Sequence, residues 1–347
     1  MSPRFLILRL SSLGDLVHAL PAVAALRAAF PEARLDWLVE SRWQDIIELN
    51  PHVSNVLAAD THAWRRAPLA ARTWQSLAAL RRTLRQARYD VTFDLQGLYK
   101  SALLAWLSGA PKRIGFAKGS VKESGATLFY TDSVKLPGNT HVIDMNLALA
   151  KAAGAREGPW QFPLPTRPEE DAEVERWLVS QQLRDFVVLS PGGGWRSKCW
   201  PLERYAALHN ILARERGWRT VLNTGPGEEA LANQFLAEAR VTRPVHFSQS
   251  LRHLVVLLRR ARLLLSGDSG PLHLAAAAGT PVVGLYGPTD PVRNGPPSPP
   301  ARAVVLHHRE KGVVTYKHAD KPSPAMLAIT VEEVVAAVNQ VMESSRG

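Results

Sequence analysis

Short apolar runs alternate with helix-length segments along most of this chain, and that alternation limits what it can fold into more than any single motif does. Strands buried on both faces read as continuous apolar runs, and parallel pairing needs long crossovers, usually helices. The first half gives strands at Arg4–Leu10, Arg34–Val39, Val56–Ala58, Val91–Asp94 and Arg113–Gly115. Its clearest helix is Thr73–Ala87, where Trp74, Leu77, Leu80 and Leu84 recur at helical spacing and Arg81, Arg82, Arg85 and Arg88 fill much of the remaining surface. The second half restarts the pattern with strands Phe186–Ser190, Thr220–Asn223, Leu263–Ser266 and Val282–Leu285. Helices Glu169–Gln182, Leu202–Arg216, Glu228–Glu238, Leu251–Arg259 and Pro271–Ala278 alternate with them, and Val331–Met342 closes the chain. The fold class is therefore α/β, with two Rossmann-like, doubly wound parallel sheets.

Pro159, Pro163, Pro165 and Pro168 interrupt the pattern, and prolines so close together favour an extended connector. A length of 347 residues is also about two domains' worth. The expected division is a first domain over 1–160, a second over 169–330, and a C-terminal helix within 331–347 that packs back on the first domain. Two such domains are expected to face each other across a ligand-binding cleft that closes on its substrates.

The net charge of +11 calls for an anionic partner: phosphate, lipid headgroup or nucleic acid. Trp64-Arg65-Arg66, Arg72, Lys100, Lys112, Arg113, Lys118 and Lys122 concentrate cations in the first half. No aromatic-rich RNA motif or zinc finger accompanies them, which disfavours a nucleic-acid-binding protein. The single cysteine, Cys199, excludes an intrachain disulfide and a Cys-based zinc site and suits a reducing compartment. The four apolar residues Phe5–Leu8 are too few for a signal-peptide core, and glycines and prolines break the uncharged run Ser269–Thr289. The expectation is a cytoplasmic protein whose membrane contact, if any, is peripheral.

Glycine-rich loops follow several of the strands. Ser11-Ser12-Leu13-Gly14-Asp15 follows the first and opens a helix, placing Asp15 at the crevice or, alternatively, as a plain first-turn acid against the helix dipole. Pro21 should kink or break that helix near His18–Leu20. Gly267-Asp268-Ser269-Gly270-Pro271-Leu272-His273 joins a strand to a helix start, where backbone N–H groups make an anion site within reach of His273. A carboxylate repels phosphate, so Asp268 is expected to cap the helix. In Ser190-Pro191-Gly192-Gly193-Gly194-Trp195-Arg196-Ser197-Lys198, three glycines offer bare N–H groups and Arg196 and Lys198 supply cations for a diphosphate. That loop matches neither GxxxxGK[ST] nor GxGxxG. Glu228 and Glu229, after Thr224-Gly225-Pro226-Gly227, are placed to accept from ribose hydroxyls.

Four motifs taken together resemble the bacterial lipopolysaccharide heptosyltransferases: Ser12-Leu13-Gly14-Asp15, Asp94-Leu95-Gln96-Gly97-Leu98 with Lys100-Ser101, Asp268–His273, and Tyr286-Gly287-Pro288-Thr289-Asp290-Pro291. Leu35-Asp36-Trp37-Leu38-Val39-Glu40 and the Gln-Gly-Leu-x-Lys-Ser stretch make the likeness strongest to the heptosyltransferase I branch. The resemblance implies a GT-B fold and transfer of L-glycero-D-manno-heptose, with inversion, from ADP-heptose to Kdo of Kdo-lipid A. It implies Asp15 as catalytic base, and a donor site at Gly193, Gly194, Lys198, Glu228, Asp268, Ser269, Gly270, Pro271, Leu272 and His273. The acceptor is expected at Ser12, Gly14, Arg65, Arg66 and Lys122, with the inner-leaflet membrane surface as a partner. No cofactor or metal is expected, in keeping with the lack of an Asp-x-Asp pair. One departure matters: the loop before the lysine is threonine-rich in heptosyltransferase I, whereas here it is Gly192-Gly193-Gly194-Trp195-Arg196. That leaves heptosyltransferase II or another nucleotide-sugar transferase of the family as alternatives, then a GT-B-like sugar-nucleotide epimerase.

Overall fold

The computed structural model describes residues 2–311, 314–315 and 319–343. The chain divides into two compact units, Met1–Pro165 and Thr166–Gly347, and the break falls inside the proline-rich connector. Among the described residues, each unit holds one six-stranded parallel sheet.

In the first unit the strands are β1 (Arg4–Leu8), β2 (Arg34–Glu40), β3 (Asn55–Ala59), β4 (Val91–Asp94), β5 (Lys112–Phe116) and β6 (Asp132–Val134). They lie in the order β3-β2-β1-β4-β5-β6. The second unit has β7 (Phe186–Ser190), β8 (Arg219–Asn223), β9 (Val245–Phe247), β10 (Leu263–Gly267), β11 (Val282–Tyr286) and β12 (Ala303–His307), ordered β12-β11-β10-β7-β8-β9. The two orders are equivalent, each starting at a central strand, winding one way and then the other. Central β1, β7, β10 and β11 are almost wholly buried, as their apolar composition requires.

Two expectations need correction. Helix Leu13–Ala29 runs through Pro21 without a break. The proline leaves one carbonyl without a helical donor, and next to it the Asn146 side chain donates to the His18 carbonyl at 2.9 Å. Trp74 lies outside the buried stripe of its helix, Ala71–Ala87: Thr73 and Leu84 are buried, Leu77 and Leu80 partly so, while Trp74 is 61% exposed. It sits about 100° round the axis from Thr73, on the flank rather than the core face. The C-terminal helix, Val331–Glu343, contributes to the core of the second unit. Val334, Ala337, Val338 and Val341, one stripe at helical spacing, join the core of the second sheet.

One buried carboxylate of the first unit is answered entirely within it. Asp94, at the end of β4, accepts from the N–H groups of Gln96 (2.9 Å) and Gly97 (3.1 Å) and from the hydroxyls of Ser101 (2.9 Å) and Tyr130 (2.7 Å). Burial nevertheless outweighs these donors and raises its pKa above the ordinary carboxylate value. The motif at Asp94–Ser101 is thus a turn tied together by one buried carboxylate.

Candidate active site

Strand order reverses beside β1 and β4 in the first unit, and beside β7 and β10 in the second. Loops leaving the carboxyl ends of such neighbours diverge, and ligands of open α/β sheets bind in the gap they leave. The loops that carry Asp15, Lys198 and Asp268 follow β1, β7 and β10.

In the first unit the gap holds Asp15. Its Oδ2 accepts from the Ser12 N–H and hydroxyl, both at 2.9 Å, so it does serve as a first-turn helix acid. Its Oδ1 forms an ion pair with the Arg9 guanidinium, which also donates to the Leu95 carbonyl across the strand gap. Leu10 N–H donates to Gln96 Oε1 at 2.7 Å and fixes the same junction. Burial pushes the Asp15 carboxyl upward, but the Arg9 charge and the Ser12 donors outweigh it and hold the pKa below the ordinary value. The side chain remains 37% exposed, so an ionised carboxylate is both anchored and reachable.

Arg9 is a residue that sequence reasoning passed over, although a cation at the end of a buried strand, just ahead of the glycine loop, was the available signal. Its presence makes a pH prediction. With Arg9 in place the Asp15 pKa is depressed, so the base is ionised down to lower pH. Arg9→Gln removes the positive charge, raises that pKa, and moves the acid limb of the kcat/KM profile to higher pH. An acid limb that stays where it was would mean that another group controls it.

Of the residues assigned to the acceptor, Ser12 is the helix N-cap and Gly14 is buried in the first turn. Arg65 and Arg66 are exposed at the end of helix Thr61–Arg66, after β3. Lys122 is exposed on the loop whose Glu123 N–H donates to the Gly97 carbonyl. Lys100 donates to Thr61 Oγ1 at 3.2 Å. Burial, opposed by Glu40 but reinforced by Arg65 and Arg42, lowers its ammonium pKa.

In the second unit the organising group is Asp268, directly after β10. Its Oδ2 accepts from Lys198 Nζ at 2.6 Å and from the Thr289 hydroxyl at 2.7 Å, while Oδ1 meets His273 Nε2 at 3.1 Å. Contrary to the expectation from sequence, it therefore does not cap the helix. Ser269 is the N-cap of Gly270–Ala277, and its hydroxyl meets Ser266 Oγ at 2.8 Å instead of bonding the first N–H groups. Burial acts to raise the Asp268 pKa, but His273 and Lys198 prevail and hold it far below the usual carboxylate range. Asp268 thus fixes one cation and one imidazole beside a helix start.

Lys198 lies at the end of the turn Arg196–Lys198, with its ammonium 4.4 Å from the centre of the Trp195 ring. Gly267 makes that turn possible, since a Cβ there would stand 2.4 Å from the Lys198 carbonyl oxygen. Gly192 faces protein rather than open space, because a Cβ would meet the Glu228 carboxylate at 2.2 Å. Glu228 in turn accepts from Gly225 N–H at 2.7 Å, joining the loops after β7 and β8. Gly193 would bring a Cβ only to 3.6 Å from Cys199 Sγ, and Gly194 borders open space. Pro271 opens the helix, whereas Leu272 is buried against Gly284, so its side chain belongs to the core. Thr289 belongs to the Tyr286–Pro291 motif, and its hydroxyl bond to Asp268 is visible only in the fold. Among the described residues, no group of three or more His, Cys, Asp or Glu side chains comes together as a metal site.

Two parallel Rossmann-like sheets of matching order, each with its functional loops at the strand-order reversal, define the architecture of GT-B glycosyltransferases. The Escherichia coli heptosyltransferase WaaC, solved with ADP, has this fold with a TM-score of 0.78 at 26% identity, over 97% of this chain and 99% of that one. A glycosyltransferase family 9 protein from Veillonella parvula matches in fold with a TM-score of 0.81 at 22% identity, covering 99% and 98%. The model of glycosyltransferase family 9 (heptosyltransferase) matches residues 77–322, and the chain belongs to that family. Lipopolysaccharide heptosyltransferase 1 of Pseudomonas aeruginosa is 30% identical over 83% of this chain and 79% of its own, and that of Escherichia coli K12 is 30% identical over 83% and 89%.

Proposed function

We propose that this glycosyltransferase moves L-glycero-D-manno-heptose from ADP-heptose to the Kdo residue of Kdo-lipid A, with inversion at the sugar's anomeric carbon and without a metal ion. The observation that carries the reading is the division of chemistry between the units: an anchored carboxylate in the first, and a Lys–Asp–His cluster at a helix start in the second. The heptosyltransferase 1 relatives support heptose transfer onto lipopolysaccharide, and the ADP bound to WaaC supports the nucleotide part of the donor.

In this mechanism Asp15 takes the proton of the acceptor hydroxyl as its oxygen bonds to the anomeric carbon. The bond from that carbon to the diphosphate breaks, and its electron pair leaves with ADP. Lys198, His273 and the N–H groups at the start of Gly270–Ala277 face the charge that develops on the leaving oxygens. A sugar hydroxyl is far more basic than an aspartate, so proton transfer must accompany glycosyl bond formation. Glu228 is assigned to the ribose, and Arg65, Arg66 and Lys122 to acidic groups of the acceptor.

The glycine loop at Gly192–Gly194 favours a second reading in the same class: a heptosyltransferase acting at another core position, with backbone N–H groups replacing hydroxyls at the phosphates. Incubation with ADP-heptose and Kdo-lipid A, read by mass spectrometry, should add one heptose mass. Addition only when the acceptor already carries heptose would select the second reading. Conversion of the donor with no acceptor present would identify an epimerase and overturn both.

A further inference from the structure

Helix Tyr99–Ser108 carries apolar side chains on its exposed side as well as on its buried side. Ala102, Leu104 and Ala105 fill its buried side, yet Tyr99, Leu103 and Trp106 are 54%, 42% and 49% exposed. Spaced four and then three residues apart, these three share one face. The segment Ser124–Phe129 lies alongside, with the Tyr99 ring against Gly125 and Leu128 86% exposed. On the other side, Arg85 Nε donates to the Leu107 carbonyl at 3.0 Å, which brings up one flank of helix Ala71–Ala87. That flank carries Trp74, Arg81 and Arg85, and Arg88 follows at the C-cap. Residues 61–89 contain seven arginines and no Asp or Glu.

We propose that this face is a docking surface for an anionic phospholipid bilayer. Contiguous exposed apolar groups mark interaction sites, and here the apolar part consists of ring-bearing and aliphatic side chains beside a purely cationic flank. Trp and Tyr settle at the level of lipid headgroups, with the ring in the apolar boundary and the polar atom in water. Arginines beside them meet lipid phosphates while their stems lie along the apolar surface. A second copy of the chain is a poor occupant, because a two-fold contact would set the arginine flank against itself. Among the described residues no helix is long and apolar enough to cross a membrane, so the attachment is to the surface. The inference rests on the lipid-linked acceptor proposed above for its purpose, whereas the face itself can be tested without any acceptor.

The test is flotation of the full chain with vesicles of phosphatidylethanolamine and phosphatidylglycerol, against vesicles of phosphatidylcholine alone. The chain should float with the anionic vesicles only, and high salt should release it. Arg81→Ala with Arg88→Ala should weaken binding by roughly 10- to 30-fold, about fivefold for each cation near the surface. Leu103→Ser with Trp106→Ser should abolish stable binding, whereas Trp106→Tyr should retain it, with melting temperatures unchanged. Vesicles lacking acceptor register the face whether or not heptose is transferred, so this test and the activity assay fail separately. Equal flotation of all variants, or none by the parent chain, overturns the proposal. So does a concentration-dependent dimer that Trp106→Ser dissolves, since a second copy would then cover the face.

Discussion

Asp15→Asn is expected to lower kcat by roughly 10²- to 10⁴-fold, the range for loss of a general base, while the affinity for ADP stays near that of the parent chain. The amide oxygen can still accept from the Ser12 N–H, so the start of helix Leu13–Ala29 keeps its geometry. What disappears is a group able to hold a proton in the transition state. The residues proposed for the donor belong to the other unit, which is why nucleotide binding should be indifferent to the change. Single-turnover rates with saturating ADP-heptose, together with ADP titration calorimetry, separate the two effects. Near-normal turnover would remove Asp15 from the mechanism.

Lys198→Ala should weaken ADP binding by about 10- to 150-fold, the equivalent of a charge-assisted hydrogen bond worth roughly 1.5–3 kcal/mol. Part of that loss comes from an indirect effect. Without the ammonium, the buried Asp268 carboxylate keeps only His273 and Thr289 as partners and repels the diphosphate more strongly. Adding Asp268→Asn to Lys198→Ala should therefore recover some of the affinity. A double variant no better than the single one would mean that Asp268 serves only to position Lys198. Unchanged binding in Lys198→Ala alone would take the lysine out of the diphosphate site.

The central strands were legible because burial on both faces leaves only apolar residues, and their ends were legible because glycine marks where the chain turns sharply. Three strands were not: β6, β9 and β12. All three are edges, short or half-exposed, and an edge strand facing water has no need of a continuous apolar run. The site divides in a similar way. Asp15, Lys198 and the turn at Asp268–His273 stand at strand ends that the alternation locates. The hydrogen bond of Thr289 to Asp268 spans 21 positions, and the ion pair of Arg9 with Asp15 spans the strand-to-helix turn. Such partners are chosen by the fold, and no local spacing encodes them. Trp74 misled because its spacing fits the apolar repeat while its direction does not, and the same misfit places it on the proposed lipid-binding face.

The backbone that carries Lys198 is gripped from the far end of the chain. Ser323 N–H donates to the Ser197 carbonyl at 3.2 Å, and the neighbouring Trp200 indole and Arg204 guanidinium bind the carbonyls of Ile329 and Leu327. A segment more than a hundred positions downstream thus acts as the mould in which the Lys198 turn, proposed above for the diphosphate, is cast. Removing the chain from Ser323 onward is therefore expected to weaken ADP binding measured by calorimetry, because the Lys198 turn would lose this support.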